Sequence, residues 1–447
     1  MNEKRNLRQR FARYASLNVL GMLGLSCYIL ADTFFVSLGL GAEGLAALNL
    51  AIPIYSLVHG SGLLLGMGGA TAYAIARGRQ EPQAAAIYPH TLYAAWGLAL
   101  LFAAAGLLLP GTLAGWLGAD AETLGNTTVY LRTILLFAPL FLLNNVYLCF
   151  MRNDGQPRLA MAAMVTGSLS NVLLDYVFIF PCGMGMFGAA FATGLAPAIS
   201  LLVLFLGGKR GERHFRLAKM RVVPGLYRRI LPAGVPSLVT EVSSGLVMIT
   251  LNAVILRLQG NLGVAAYGVV ANLSLVALAI YTGIGQGIQP LLSEYHGRGE
   301  VANVRTVLRY ALVTVAAVSL LLYALIFLGA DAIAALFNSQ GNARLQAIAV
   351  EGMRQYFLGI GCAGCNVVLA AYLAATERPA TAQLLALLRG VALIVPVILG
   401  FSALWGMTGC WLAFPVTEAA VLLLALCLER RARRVQGAYP APLPPDR

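Results

Sequence analysis

Twelve windows of about twenty mostly apolar residues recur along this chain, and each is long enough to cross a bilayer as an α-helix. They run approximately over 14–37, 46–75, 89–111, 124–150, 159–181, 187–206, 231–256, 265–292, 306–329, 347–373, 381–401 and 407–428. Backbone amides in hydrocarbon must be satisfied within their own segment. The expectation is therefore an all-α integral membrane protein with twelve transmembrane helices. Composition agrees: 59% of residues are apolar, 11% are charged and mean hydropathy is +0.77, beyond the range of a soluble domain.

The net charge of +13 raises the question of nucleic acid, but its distribution answers otherwise. Of the 31 Lys and Arg, 26 fall in the terminal segments and in alternate loops, the exceptions being Arg132, Arg257, Arg344, Arg354 and Arg389. Such asymmetry reports orientation in a bilayer. It places both termini in the cytoplasm and the chain in the inner (plasma) membrane, with lipid rather than nucleic acid as its partner. The first apolar run is too long for a signal-peptide core and contains Asp32, so it is read as a retained span.

The longest basic connection, 207–230, divides the spans six and six. Residues 46–81 and 265–300 align without a gap at an offset of 219, Gly66-x-Gly68 matching Gly285-x-Gly287. Arg132, Asn144 and Pro157 match Arg354, Asn366 and Pro379 at an offset of 222. The organisation expected is two pseudo-symmetric six-helix lobes, 1–206 and 231–430, related by an axis along the membrane normal. A cytoplasmic tail, 431–447, is expected to be disordered after Tyr439.

Asn171 and Asp175 sit four apart in the fifth span and share a helix face. A turn at Pro181–Gly185 follows, and Thr193 lies in the sixth span. With about six residues from each side of the turn, at ~1.5 Å per residue, Asp175 and Thr193 lie ~9 Å from one membrane surface. Asp32, about five residues from the outer end of the first span, reaches the same depth. A carboxylate in hydrocarbon costs ~2.5 kcal/mol or more on insertion scales, so these face a protein interior or a wet cavity. Helix packing alone is the plainer reading of such a cluster. The functional one is an oxygen cage for Na+, or a carboxyl pair holding a proton because like charges in a desolvated site repel.

Glu241 lies near the middle of the seventh span without a basic neighbour in sequence. It either bonds Ser243 or Ser244 or meets a cationic substrate. Glu418 is read as paired with Arg389. Tyr28, one turn before Asp32, bonds into the cluster or packs, and Asn144 with Asn145 lines a cavity or bonds between helices. No cofactor is expected. The Gly183–Gly188 G-x-G-x-x-G is a turn between spans, no P-loop or H-E-x-x-H is present, and the Cys362-x-x-Cys365 pair has no second pair or His cluster. A membrane-embedded enzyme or sensor is disfavoured on these grounds.

Several segments together resemble the multidrug and toxic compound extrusion family of transporters. They are Asp32-Thr33-Phe34-Phe35-Val36 with Gly39-Leu40-Gly41, Asn171-x-x-Leu174-Asp175, Gly185-x-x-Gly188-Ala189-Ala190-x-Ala192-Thr193 and Arg152-Asn153-Asp154-Gly155, the last read as a cytoplasmic turn. Gly285-Gln286-Gly287-Ile288-Gln289-Pro290 is similar to the bacterial branch of staphylococcal-type drug exporters. The resemblance implies secondary active efflux of lipophilic organic cations by antiport with H+ or Na+. It implies a cation-coupling site at Asp32, Asn171, Asp175 and Thr193, and a contribution from Glu241. Some members also carry an acidic residue in the tenth helix, and this sequence has none deep in that span. Glu241, Tyr28, Asn144 and Gln286 are the substrate-cavity candidates. A monomer is expected, because both lobes are on one chain. The alternative within the same superfamily is a lipid-linked saccharide flippase, which would need a strongly cationic cavity; four interior carboxylates against Arg389 and three span-end arginines favour cationic cargo.

Overall fold

The computed structural model describes residues 2–208, 214–216, 223–338 and 341–438. Lys209, Arg210, Arg213, Lys219 and Arg221 of the basic connection, and the tail from Tyr439, lie outside them. Every described element is helical, and twelve membrane crossings can be traced. They are α1 Arg5–Gly41, α2 Glu43–Gly78, α3 Ala84–Leu108, α4 Leu124–Asn153, α5 Pro157–Ile179 and α6 Gly185–Gly208. Then follow α7 and α8, the two halves of Pro224–Gly297 on either side of Gly260. The last four are α9 Val301–Phe337, α10 Ala343–Ala375, and α11 and α12, which divide Pro379–Arg431 at Gly406.

The helices overrun their apolar windows, because regular hydrogen bonding continues past the hydrocarbon into polar residues. Thus α1 begins nine residues before its window, among its arginines. Gly41 and Gly260 turn the chain with φ of 68° and 63°, a conformation that costs little only without a Cβ. α4 bends by 48° at Phe137, where Pro139 removes an amide donor and its ring crowds the preceding turn. A π-helical turn, Leu388–Ala392, interrupts α11.

Buried apolar side chains form two clusters. One unites Val36 through Ile230, drawing on the outer part of α1, on α2 to α6 and on the start of α7. The other unites α7 to α12 and also takes Leu7, Phe11, Tyr14 and Ala15 from the start of α1. The two groups of helices meet at the end that carries the basic segments. A Cβ on Gly68 would collide with the carbonyl oxygen of Ile230, and one on Gly234 with that of Leu64. The backbones of α2 and α7 are therefore in direct contact. By the internal repeat, Gly287 of α8 faces Tyr14 and Ala15 of α1 in the same way.

Ion pairs close the same end. Arg10 of α1 donates to Glu294 of α8 at 2.6 Å, and Arg229 of α7 to Glu81 after α2 at 2.5 Å. Arg10 and Arg229 are themselves 219 apart, although their partners Glu294 and Glu81 are not equivalent in the repeat. Arg79 also reaches Glu377, in the turn between α10 and α11, which His296 contacts at 3.0 Å. Every described hydrogen bond between the first six and last six crossings lies in this half.

Glu377 sets the pH range of that contact. Burial raises its pKa, but hydrogen bonds from Arg79 and His296 and their charges outweigh it and hold the group below the ordinary 4.5. A depressed carboxyl pKa contributes stability above the ordinary value and loses it as pH falls through the folded one. The contact should therefore be indifferent to pH from neutral down to about 4.5, and loosen below it. Thiol labelling of a Ser293→Cys variant at this buried position should stay slow from pH 7 to 5 and accelerate only in stronger acid. Acceleration between pH 7 and 6 would assign control to another group.

Candidate functional site

α5 and α6, joined by the 180–184 turn, bring Asn171, Asp175 and Thr193 to one level, all at most 3% exposed. With its amide nitrogen turned toward the carboxylate, Asn171 donates to Asp175 Oδ2 at 3.1 Å and accepts from the Thr193 backbone N–H at 3.2 Å. Asp32 of α1 is buried beside them, and its charge acts on Asp175. Asp32 Oδ1 and Asp175 Oδ1 are enclosed without a hydrogen-bond partner. A buried carboxylate oxygen without a donor is strongly disfavoured unless a proton or cation meets it. Two such oxygens, with an amide and a hydroxyl, form the all-oxygen donor set of a hard cation or of a shared proton. No cluster of three or more His, Cys, Asp or Glu occurs among the described residues.

Behind this cluster lies a cavity of about 80 Å³, walled mainly by the first six helices and completed by Glu241 of α7 and Gln286 of α8. Its walls are largely apolar or aromatic: Met22, Leu25, Leu63, Phe141 and Met164 among them. All four cavity candidates, Tyr28, Asn144, Glu241 and Gln286, line it, and Thr193 joins it to the carboxylates. The Glu241 carboxylate makes no described hydrogen bond or ion pair, and only its backbone carbonyl is engaged, by Ser244 Oγ at 2.8 Å. Asn144 Oδ1 is enclosed without a partner.

Of the two readings left open for Tyr28, no bond into the carboxylate cluster is observed; its hydroxyl pairs with Tyr55 at 2.6 Å. One expectation needs correction. Arg152 is not in a surface turn, because α4 runs on to Asn153 and lobe contact covers it, leaving it 3% exposed against the cavity. The interior charge balance therefore includes one more arginine. The expected pairing of Glu418 with Arg389 is present: the carboxylate accepts from Arg389 at 2.9 Å and also from Asn366 at 2.7 Å.

Other residues of the site were not singled out from the sequence. Tyr130 of α4, 3% exposed, lies close to Thr193 and to both carboxylates. Tyr55 and His59, one helical turn apart on α2, stack at 6.0 Å, and Asn145 contacts His59 at 3.3 Å. The i, i+4 spacing of Tyr55 and His59 was the available clue.

The MatE family model matches residues 19–177 and 236–399. A multidrug export protein MepA of Staphylococcus saprophyticus is 23% identical over 434 residues, covering 95% of this chain and 94% of that protein. A multidrug export protein MepA of Staphylococcus aureus is 25% identical, covering 92% and 90%. Among solved structures, a multidrug resistance MATE family transporter in an outward-facing conformation superposes with a TM-score of 0.90 at 24% identity, over 97% of both chains. A MOP superfamily transporter from Pyrococcus furiosus, described as having a binding pocket of reverse polarity, gives 0.87 at 24% identity, over 95% and 96%.

Proposed function

Because the chain belongs to the MatE family, we propose that it is a secondary active multidrug exporter that moves lipophilic organic cations outward in exchange for H+ or Na+. The observation that carries this reading is the pair of buried carboxylate oxygens without partners, set beside a largely apolar cavity that the Glu241 carboxylate also lines. The relatives named as multidrug export proteins support the cargo class.

In this reading the basic end is cytoplasmic, both termini lie there, and the structure is closed inward. Residues 1–206 and 231–430 act as the two moving lobes of a monomer. Glu241 attracts the cationic head of a drug, and the apolar and aromatic walls take its body. Asp32, Asn171, Asp175 and Thr193 hold the incoming ion from the outer side. Thr193 belongs to both cavity and cluster, so loading the cluster changes what the cavity wall presents to a drug. The ion biases the lobe equilibrium only through its different affinity for the two states.

The test is efflux of a fluorescent lipophilic cation from proteoliposomes under a pH gradient or a Na+ gradient imposed separately. Extrusion under one of them establishes antiport and names the ion. Arg152 in the cavity floor is the observation that keeps a second reading, the lipid-linked saccharide flippase, in view. Dye immobile under both gradients, with movement of a lipid-linked saccharide, would decide for it.

A further inference from the structure

Arg152 donates to Asn18 Oδ1 of α1 at 3.0 Å, to Cys149 Sγ at 3.2 Å and to Gln286 Oε1 of α8. All three acceptors are neutral. No carboxylate among the described residues lies within ion-pair distance of it, and Asp154, two residues on, is taken by Arg77 and His214. A guanidinium does not give up its proton in a protein, so this is a fixed and uncompensated charge, 3% exposed, at the floor of the cavity. Three neutral hydrogen bonds are a poor return for burying it, and a purely structural role would be better filled by a neutral or paired side chain.

Its position supplies another role. Below Arg152 the two groups of helices meet through polar side chains: Asn153 donates to Gln289 at 3.2 Å, and Gln289 to Thr71 at 2.6 Å. The Arg10–Glu294 bridge lies beyond them, at the basic end. A seam of amides and hydroxyls is the kind of path along which water and small cations cross a closed interface. We propose that Arg152 is an electrostatic plug, whose fixed charge keeps cations out of the seam between the cavity and the basic end. Glu241 draws a cation into the cavity, and Arg152 stops it going through. A fixed positive charge in a narrow polar passage is an established physical means of excluding protons and cations. The purpose of the plug, preventing a short-circuit of the driving gradient, rests on the antiport reading. The property itself, cation tightness, does not, because it is measured with no drug and no exchange.

The experiment uses the purified full chain in liposomes holding a pH-sensitive or Na+-sensitive dye, with an inward-directed potential set by K+ and valinomycin. The unmodified protein should leak no more than protein-free vesicles. Arg152→Gln should raise the leak roughly thirtyfold, the effect of removing a like charge ~8 Å from the path at an effective dielectric near 20. Arg152→Lys should stay tight, because it keeps the charge and loses only the forked geometry. Gln286→Glu leaves the arginine in place but cancels its field, and should leak as Arg152→Gln does; it decides the matter alone should Arg152→Gln fail to fold. Tight vesicles with both neutralising variants, or equal leaks from Arg152→Lys and Arg152→Gln, would overturn the proposal.

Discussion

Asp175→Asn should abolish gradient-driven efflux while the protein still inserts and folds. Asp175 is fully buried, one of its oxygens accepts from Asn171, and the other has no partner. An asparagine has nearly the same shape, and removing a carboxylate from the membrane interior eases insertion rather than hindering it. What disappears is the group able to take up and release a proton or cation. With it goes the difference in ion affinity between the two lobe arrangements, which is all that links gradient to cargo. Coupling free energies of about 3 kcal/mol correspond to factors of roughly 100, so the dye efflux rate should fall by about that much. Asp32→Asn should behave alike. Unaltered export by Asp175→Asn in the proteoliposome assay would remove the cluster from the mechanism.

The second large effect should come from a single methyl group. Gly234→Ala places a Cβ against the carbonyl of Leu64, and Gly68→Ala does the same against Ile230, both backbone atoms that cannot rotate aside. The basic end then cannot close as it does here. Overpacking of this kind costs about 1–3 kcal/mol. The closed arrangement should lose roughly 5- to 150-fold in relative population. Faster thiol labelling at Ser293→Cys and a comparable fall in efflux are the expected readouts. Gly225→Ala, on the same helix with open space around it, is the control and should change neither. Equal behaviour of Gly234→Ala and Gly225→Ala would mean that the close helix contact does not govern the transition.

These two sites differ in how readily the sequence disclosed them. Twelve crossings follow from window length alone, since hydrocarbon thickness fixes how many residues a helix needs. The common depth of Asn171, Asp175 and Thr193 follows from the rise per residue on each side of a recognisable turn. Tyr130 was hidden because an aromatic residue in an apolar span carries no mark of which way its hydroxyl points. Arg152 misled for the opposite reason. A polar Arg-Asn-Asp-Gly string reads as a surface turn, and only contact between distant helices, α4 with α1 and α8, takes its first residue out of water. The direct backbone contacts at Gly68 and Gly234 were equally unreadable, because glycine in a membrane helix signals closeness to something without saying to what.

The glycine turns have a consequence at the opposite face. Gly41, Gly260 and Gly406, each with φ between 57° and 68°, reverse the chain between α1 and α2, α7 and α8, and α11 and α12 with almost no residues to spare. Half of the far-end connections therefore offer nothing that protrudes for an antibody or toxin to grasp. A blocking agent acting from that side would have to be small enough to enter between the lobes, and would then compete with cargo for the same walls.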